Sequence, residues 1–248
     1  MRSLGLAVGL LASLAAAACS STSEVALSRV FIAAPWTGPE RLTYDVTDRG
    51  VKGKGSCTLS LAPASEPGRS QLERSCAKDE FSDLGTVTVD SATLAPTAAK
   101  RTYSNAKTNE TVTHTVVYEG AVARFRTEDG KKTRETTRDL PKASKGSPDP
   151  GWYDDESLLW LARGITLKAG YHAGYAHVIN AGQPRILSVE VRVDAPETVK
   201  VPAGEFSAWK VRYQREDSIY YVWVDTQAPN RVVRARIEDV TYELTAVK

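Results

Sequence analysis

The chain has 248 residues, of which 42% are apolar and 25% are charged. Both fractions are close to the averages of globular proteins, so a wholly disordered chain is excluded. Lys and Arg number 32 and Asp and Glu number 30, which leaves a net charge of +2. This balance argues against a dedicated nucleic-acid-binding protein.

The first 18 residues have the features of an export signal. Arg2 is followed by an uncharged apolar stretch over residues 4–18, which is shorter than the roughly 20 residues of a membrane-spanning helix. Residues 14–21 read Leu-Ala-Ala-Ala-Ala-Cys-Ser-Ser and resemble a bacterial lipobox, in which the thiol of Cys19 receives a diacylglyceryl group. We therefore expect cleavage of residues 1–18 and acylation of Cys19. The alternative is ordinary cleavage after an Ala-x-Ala site, which leaves Cys19 unmodified.

Acylation of Cys19 would anchor the mature chain in a membrane. Residues 19–27 then form a lipidated tether, whose eight polar-rich residues after Cys19 reach at most about 28 Å when extended. We expect the following β-rich domain, residues 28–248, to lie close to that membrane. The protein is thus predicted to be a cell-envelope lipoprotein that faces the periplasm or the exterior.

The two other cysteines, Cys57 and Cys76, are predicted to form a disulfide. Cys57 alternates with leucines on one predicted strand face, and Cys76 alternates with Leu72 and Arg74 on the next strand. A hairpin places the two thiols side by side, and an exported chain favours their oxidation. The alternative is a pair of buried free thiols.

An alternation of apolar and polar residues with period two begins near Arg41 and predicts strands along most of the chain. Turn signals such as Asp48-Arg49-Gly50 and Asn180-Ala181-Gly182 separate the strands, which indicates antiparallel meanders. The alternating segments are 42–46, 58–61, 86–89, 112–118, 122–127, 171–179, 186–193, 208–213, 219–224, 232–237 and 240–246.

One segment departs from the strand pattern and predicts a buried helix over residues 157–163. The acidic residues Asp154, Asp155 and Glu156 precede it and suit the positive end of a helix dipole. Gly164 suits the position after the last turn. The helix is apolar on nearly all sides, so we expect it to be buried.

Three segments resemble an uncharacterised bacterial envelope family, domain of unknown function 3108. Residues 155–171 are similar to its helix-then-strand signature, and residues 197–211 to its Val-Pro-Ala-Gly turn with the following Phe and aromatic positions. Residues 221–233 are similar to its closing hairpin. The resemblance covers about 41–248. The resemblance implies a mainly β protein in which a single curved antiparallel sheet, a half-barrel or open barrel, wraps one short helix. This architecture is similar to that of periplasmic lipoprotein carriers. The resemblance implies no reaction.

Residues that carry chemistry are sparse, and no catalytic residue, metal site or cofactor is predicted. The sequence has three histidines, His114, His172 and His177, which we expect at solvent-facing or strand-end positions. Helix capping accounts for the acidic run 154–156 more simply than a pair of hydrolytic carboxylates does. A pocket that gathers Asp155 with a His or a Lys would instead favour an enzyme.

A basic cluster lies between residues 124 and 138. Its Arg and Lys side chains alternate with Glu128, Asp129, Glu135 and Asp139. We expect a solvated, charge-balanced edge that discourages pairing with other strands. The alternative is a contact with an anionic surface.

Aromatic residues of neighbouring strands are predicted to share the concave face with the helix. If the helix fills this space, they form core; if it leaves a gap, they line an apolar pocket. The residues proposed to line such a pocket are Leu158, Leu159, Trp160, Trp209, Tyr221 and Trp223.

The sequence therefore favours a non-catalytic, membrane-anchored scaffold or interaction domain over an enzyme. The first alternative is a carrier or sensor that binds a hydrophobic ligand or lipid on the concave face. Its expected partners are the membrane, through the acyl group on Cys19, and this hydrophobic ligand. No nucleic acid is expected, and the sequence identifies no protein partner.

Overall fold

A computed structural model describes residues 29–49, 53–142, 151–216 and 218–247. The predicted export signal of residues 1–18, the predicted acylation site Cys19 and the predicted tether lie outside these residues. In the described ranges, no helix is long and apolar enough to cross a membrane.

The described strands join in one 16-stranded sheet. They are β1 (Glu40–Asp48), β2 (Lys54–Pro63), β3 (Arg69–Lys78), β4 (Phe81–Asp90), β5 (Pro96–Asn105), β6 (Glu110–Glu119), β7 (Val122–Glu128), β8 (Thr133–Asp139), β9 (Trp152–Asp154), β10 (His172–Ile179), β11 (Arg185–Val193), β12 (Glu197–Val201), β13 (Gly204–Gln214), β14 (Ile219–Asp225), β15 (Val232–Ile237) and β16 (Val240–Val247).

The sheet is open and curved, and the predicted fold class is confirmed. Its order is β8-β7-β6-β5-β4-β3-β2-β1-β16-β15-β14-β13-β11-β10-β9, and β12 pairs only with β13. All the described pairs are antiparallel except β9 with β10. The two end strands, β8 and β9, do not pair with each other, so the sheet does not close into a barrel.

Alternate residues of each strand give the sheet an inner face, which packs on the helix segment, and an outer face. One register row of the inner face runs from Tyr44 through Cys57, Cys76 and Asp83 to Tyr103. Cys57 and Cys76 are direct cross-strand partners, and the structure contains the predicted disulfide between them. The covalent bond therefore joins β2 to β3 on the inner face.

The helical segment on the inner face is shorter than predicted. A 3-10 turn, Asp155–Ser157, leads into a single-turn helix α1, Leu158–Leu161. Gly164 does not have the positive φ of a helix-ending glycine. It instead permits close approach, because a Cβ there would stand 2.1 Å from a ring carbon of Phe31.

The far end of the sheet curls back until β9 lies against the inner face of the first strands. Trp152 of β9 stacks on Tyr118 of β6 with ring centroids 5.0 Å apart. The hydroxyl of Tyr118 donates a hydrogen bond to Asp154. Side chains rather than backbone hydrogen bonds thus hold the two ends of the open sheet together.

Candidate functional site

The helix segment fills the inner face of β10–β16. Leu158, Leu159 and Trp160 are all buried, with relative exposures of 3–4%. Behind them, Tyr153, Tyr175 and Tyr213 pack edge to face, with neighbouring ring centroids 5.6 and 6.3 Å apart. On this half of the sheet the aromatic residues therefore form core.

The six residues proposed as pocket lining do not share one surface. Trp209 is partly buried and lies in register with Val224, on the inner face. Tyr221 and Trp223 alternate with the buried Val222 and lie on the outer face, away from α1. The proposal that these two residues line a pocket beside the helix is therefore wrong. The strand carries aromatic residues on both faces, so the alternation alone does not reveal which face is inward.

A cleft lined mostly by apolar surface lies elsewhere, at one rim of the inner face of β3–β6. We call it the rim cleft, and its volume is about 410 Å³. It is open to solvent, and Phe81 at its mouth is 55% exposed. Its lining residues are Val46, Ser56, Cys76, Ala77, Lys78, Phe81, Ser82, Asp83, Tyr103, Ser104, Asn105, Glu110 and Val112.

Beneath the rim cleft, two arginines and one carboxylate join neighbouring strands. Arg74 Nη1 and Arg101 Nη2 each donate to Asp83 Oδ2, at 2.8 and 2.9 Å. Arg101 also lies over the ring of Tyr103, with 4.4 Å from its guanidinium carbon to the ring centroid. These contacts make Asp83 a shared wall between the cleft and the interior.

The same two arginines bind the acidic residues that precede α1. Arg74 Nη2 donates to Glu156 Oε2 at 3.1 Å, and Arg101 Nη1 lies 3.7 Å from Asp155 Oδ2. Gly85 leaves the space for this approach, because a Cβ there would stand 1.9 Å from Glu156 Oε2.

The prediction that all three acidic residues serve as helix caps is therefore only partly correct. Asp154 accepts a hydrogen bond from the backbone N–H of Glu156 and does cap the segment. Asp155 and Glu156 instead bind arginines of other strands. The sequence does not identify Asp155 and Glu156 as the partners of these arginines, because the arginines lie far away along the chain.

His177 extends this cluster and contradicts the expected solvent-facing or strand-end position. It is 1% exposed, and its Nε2 lies 2.9 Å from Asp155 Oδ1, at ion-pair distance but without hydrogen-bond alignment. His114 is likewise buried and contacts Thr127 through Nδ1, whereas His172 is exposed beside Glu190. We call Arg74, Asp83, Arg101, Asp155, Glu156 and His177 the buried network.

Burial and charge act in opposite directions on the carboxyl groups of the buried network. Burial alone would raise the pKa of Asp83, but hydrogen bonds and charges from Arg101 and Arg74 hold it below its ordinary value. Asp155 also has a lowered pKa, since His177 and Arg101 outweigh the effect of burial. Burial prevails at Glu156 and raises its pKa despite the same arginines. The lowered values of Asp83 and Asp155 favour their charged forms.

A small cavity of about 60 Å³ separates the buried network from α1. Arg74, Arg101, Asp155 and Glu156 form its polar wall, and Leu158, Leu159, Ile237 and Tyr242 complete it. This volume suits one or two water molecules rather than an organic substrate. Among the residues that the structure describes, no group of three or more His, Cys, Asp or Glu side chains is arranged to bind a metal ion.

Sequence reasoning missed the arginines of this site, although one signal was available. Arg74 alternates with Leu72 and Cys76, which places a charged side chain at an inner-face position. Charged residues are rarely buried without a partner, so this position predicts a buried carboxylate opposite it. No such alternation signal was available for Arg101, because the strand that carries this residue was not predicted.

Comparison with known proteins gives a family and no activity. A search of curated proteins finds no match. A protein of Bacteroides fragilis NCTC 9343, assigned as exported and as having a YmcC-like fold, is similar at 11% identity and a TM-score of 0.30. The match covers 88% of this chain and 99% of that one. The model of the family described as "Protein of unknown function (DUF3108)" matches residues 77–245, more than half of the chain. This protein therefore belongs to that family.

Proposed function

We propose that this protein is a non-catalytic binding protein of the cell envelope, which holds a hydrophobic ligand in the rim cleft. The observation that carries the proposal is the cleft itself, which is open, mostly lined by apolar groups and about 410 Å³ in volume. Pockets for small ligands occupy roughly 300–1,000 Å³ and combine apolar walls with a few polar groups.

The surroundings of the rim cleft favour a preformed site. The disulfide ends at Cys76 in its wall, and Asp83 is fixed by two arginines. Tyr103 stacks on Arg101, so its ring has a defined position. A rigid wall lowers the entropy cost of ordering the site when a ligand binds.

We also propose that the chain is exported and anchored through acylated Cys19, as its lipobox predicts. Exposed apolar surface at Phe81 then faces the envelope, where hydrophobic ligands are abundant. Labelling cells with a radioactive fatty acid should mark the wild-type protein and leave Cys19→Ala unlabelled. Equal labelling of the two proteins would contradict the proposed lipid anchor, but it would not bear on ligand binding in the rim cleft.

Native mass spectrometry tests the cleft on the chain from Ser20 onward, exported for disulfide formation and purified without detergent. Hexadecanoic acid is the probe, and we expect an added mass that disappears on denaturation. Val112→Trp places a large ring in the cleft and should abolish this mass. Val117→Trp is the matched control, because Val117 lies on the same strand at an exposed outer-face position.

Retention of the probe by Val112→Trp, or its loss from both variants, would overturn the assignment of the cleft. A bare mass for the wild-type protein, after incubation with the probe and with an extract of envelope phospholipids, would leave a scaffold role as the function. Circular dichroism of both variants establishes that the sheet is intact.

The contact of His177 with Asp155 is the one observation that favours a catalytic alternative, because this pairing resembles an acid-base couple. The neighbouring cavity of about 60 Å³ has no room for an organic substrate, and Arg101, which lies beside Asp155, already binds Asp83 and Glu156. A catalytic role would require hydrolysis of a generic ester or glycoside that is lost in His177→Gln. Our proposal predicts no such activity in the wild-type protein.

A further inference from the structure

The outer face of β13–β15 carries a cluster of cations that are stacked on aromatic rings. We define the outer basic face by Lys210, Arg212, Tyr221, Trp223, Arg234 and Arg236. One register row runs from Arg212 through Tyr221 to Arg236, and the next runs from Lys210 through Trp223 to Arg234. Four cations on β13 and β15 thus surround two aromatic side chains of the strand between them, β14.

The aromatic rings hold these cations in place. Lys210 Nζ lies 5.0 Å from the centroid of Tyr221 and 5.6 Å from that of Trp223. The guanidinium carbon of Arg236 lies 4.8 Å from the centroid of Tyr221. That of Arg234 lies 5.9 Å from the centroid of Trp223. These distances are within the range of cation–π attraction.

Three of the four cations have no carboxylate at ion-pair distance among the described residues. Arg234 pairs with Glu243 at 2.8 Å, but Lys210, Arg212 and Arg236 have no carboxylate within 4.0 Å among the described residues. On the first strands, by contrast, Arg124 pairs with Glu119 at 2.8 Å, and Arg126 also pairs with a glutamate. Two carboxylates, Glu243 and the Glu197 that accepts a hydrogen bond from Trp223 Nε1, stand against the four cations, which leaves a net charge of +2 on the outer basic face.

We propose that the outer basic face docks on an anionic lipid surface. The face is a pleated sheet with its cations spread over β13 and β15, on either side of β14, which fits repeating headgroup phosphates better than one shaped pocket does. Polybasic surfaces gain roughly 1 kcal/mol per Lys or Arg near an anionic membrane, or about a fivefold change in partitioning. The rim cleft lies on the opposite face of the sheet, so docking leaves it uncovered. This inference does not depend on the rim cleft or on acylation.

Vesicle sedimentation tests the inference on the chain from Ser20 onward, which lacks the acylation site and retains every described residue. We expect binding to vesicles of 70% phosphatidylcholine and 30% phosphatidylglycerol that weakens with salt, and no binding to pure phosphatidylcholine. The triple variant Lys210→Gln, Arg212→Gln, Arg236→Gln should lower partitioning about a hundredfold. The control triple Arg124→Gln, Arg126→Gln, Arg134→Gln removes the same number of charges from arginines that pair with carboxylates and should change partitioning less than threefold.

Equal loss in the two triple variants, or equal binding to anionic and neutral vesicles, would overturn the inference. Absence of binding with capture of an acidic protein instead would assign the face to a protein partner, which also overturns it. If the triple variant on the outer basic face does not fold, Arg236→Glu alone decides the question, because this side chain is exposed. A single charge reversal should then lower partitioning at least tenfold.

Discussion

The inner face of the sheet is filled in one half and open in the other. On β10–β16, the 3-10 turn and α1 cover the strands, and Tyr175 and Tyr213 are almost completely buried. On β3–β6, no described segment covers the rim, and Phe81 is exposed beside a cleft of about 410 Å³. The alternating pattern is present in both halves, although β5 in the open half departs from it with small and charged residues. The comparison shows that the inserted segment, together with the residues of β5, decides whether the concave face becomes core or cleft.

The buried network is the seam between these halves. Arg74 and Arg101 stand on β3 and β5, whereas Asp155, Glu156 and His177 belong to the covering segment and to β10. Charged groups at such a seam tolerate few alternative arrangements, because each unpaired buried charge is costly. We infer that the network sets how far the covering segment reaches across the sheet, and hence where the cleft begins.

Loss of Arg74 should have the largest effect on stability. Arg74→Ala deprives Asp83 and Glu156 of a cation, and breaking a buried ion pair costs about 3–5 kcal/mol. We expect a loss of about 5 kcal/mol in the free energy of unfolding, measured by urea denaturation. Arg41→Ala, on an exposed side chain, should cost less than about 0.5 kcal/mol. Similar costs for the two variants would show that the network does not hold the halves together.

Truncation of one aromatic side chain in each half compares them directly. Trp160→Ala removes a buried side chain from the filled half and should cost about 4 kcal/mol. Phe81→Ala, in the open half, should cost about 0.5 kcal/mol or less, because this ring is already exposed. Urea denaturation of both variants measures the contrast. A large cost at Phe81 would mean that a segment outside the described residues covers the cleft.

Most of the fold could be predicted from the sequence, because alternation with period two directly reports strands with one buried side. β5 is the instructive exception: its sequence Pro-Thr-Ala-Ala-Lys-Arg-Thr-Tyr-Ser-Asn contains small and charged residues where the alternation requires large apolar ones. Arg101 occupies an inner-face position of this strand because Asp155 and Glu156 of a distant segment, with Asp83 of the adjacent strand, neutralise it. Local patterns cannot report such a partner.

The candidate site was less predictable than the fold. The rim cleft is a gap between side chains that are individually unremarkable, so no residue type marks it. Tyr221 and Trp223 illustrate the opposite difficulty, because aromatic residues on an outer face look like core until cations are found above them. Which face of a strand is covered depends on tertiary packing, and composition does not reveal it.

Removal of the disulfide should destabilise the open half more moderately than loss of Arg74. Cys57 and Cys76 are 19 residues apart, and closing a loop of this size contributes about 3 kcal/mol in the chain-entropy model. We expect the double variant Cys57→Ser, Cys76→Ser, or reduction of the wild-type protein, to lower the melting temperature by about 6–12 °C. Scanning calorimetry measures this change. Titration of two free thiols in the native protein would contradict the prediction.

Protonation of Asp83 at low pH should lower the free energy of unfolding, and this is the smallest of the predicted effects. Because Arg101 and Arg74 hold its folded pKa below the ordinary value despite burial, the charged form stabilises the folded state above pH 4. This stabilisation is lost as the pH falls below about 4 toward the lowered pKa. The raised pKa of Glu156 acts with the opposite sign, so the wild-type profile alone does not isolate Asp83.

The difference in unfolding free energy between the wild-type protein and Asp83→Asn isolates this contribution. The amide cannot carry the charge, so the wild-type advantage should be largest near pH 6 and should shrink steadily toward pH 3. Urea denaturation at several pH values measures the difference, with the disulfide intact in both proteins. An advantage that stays constant over this range would mean that Asp83 does not titrate differently in the folded and unfolded chains. The wall between the cleft and the interior would then depend on the shape of the side chain rather than on its charge.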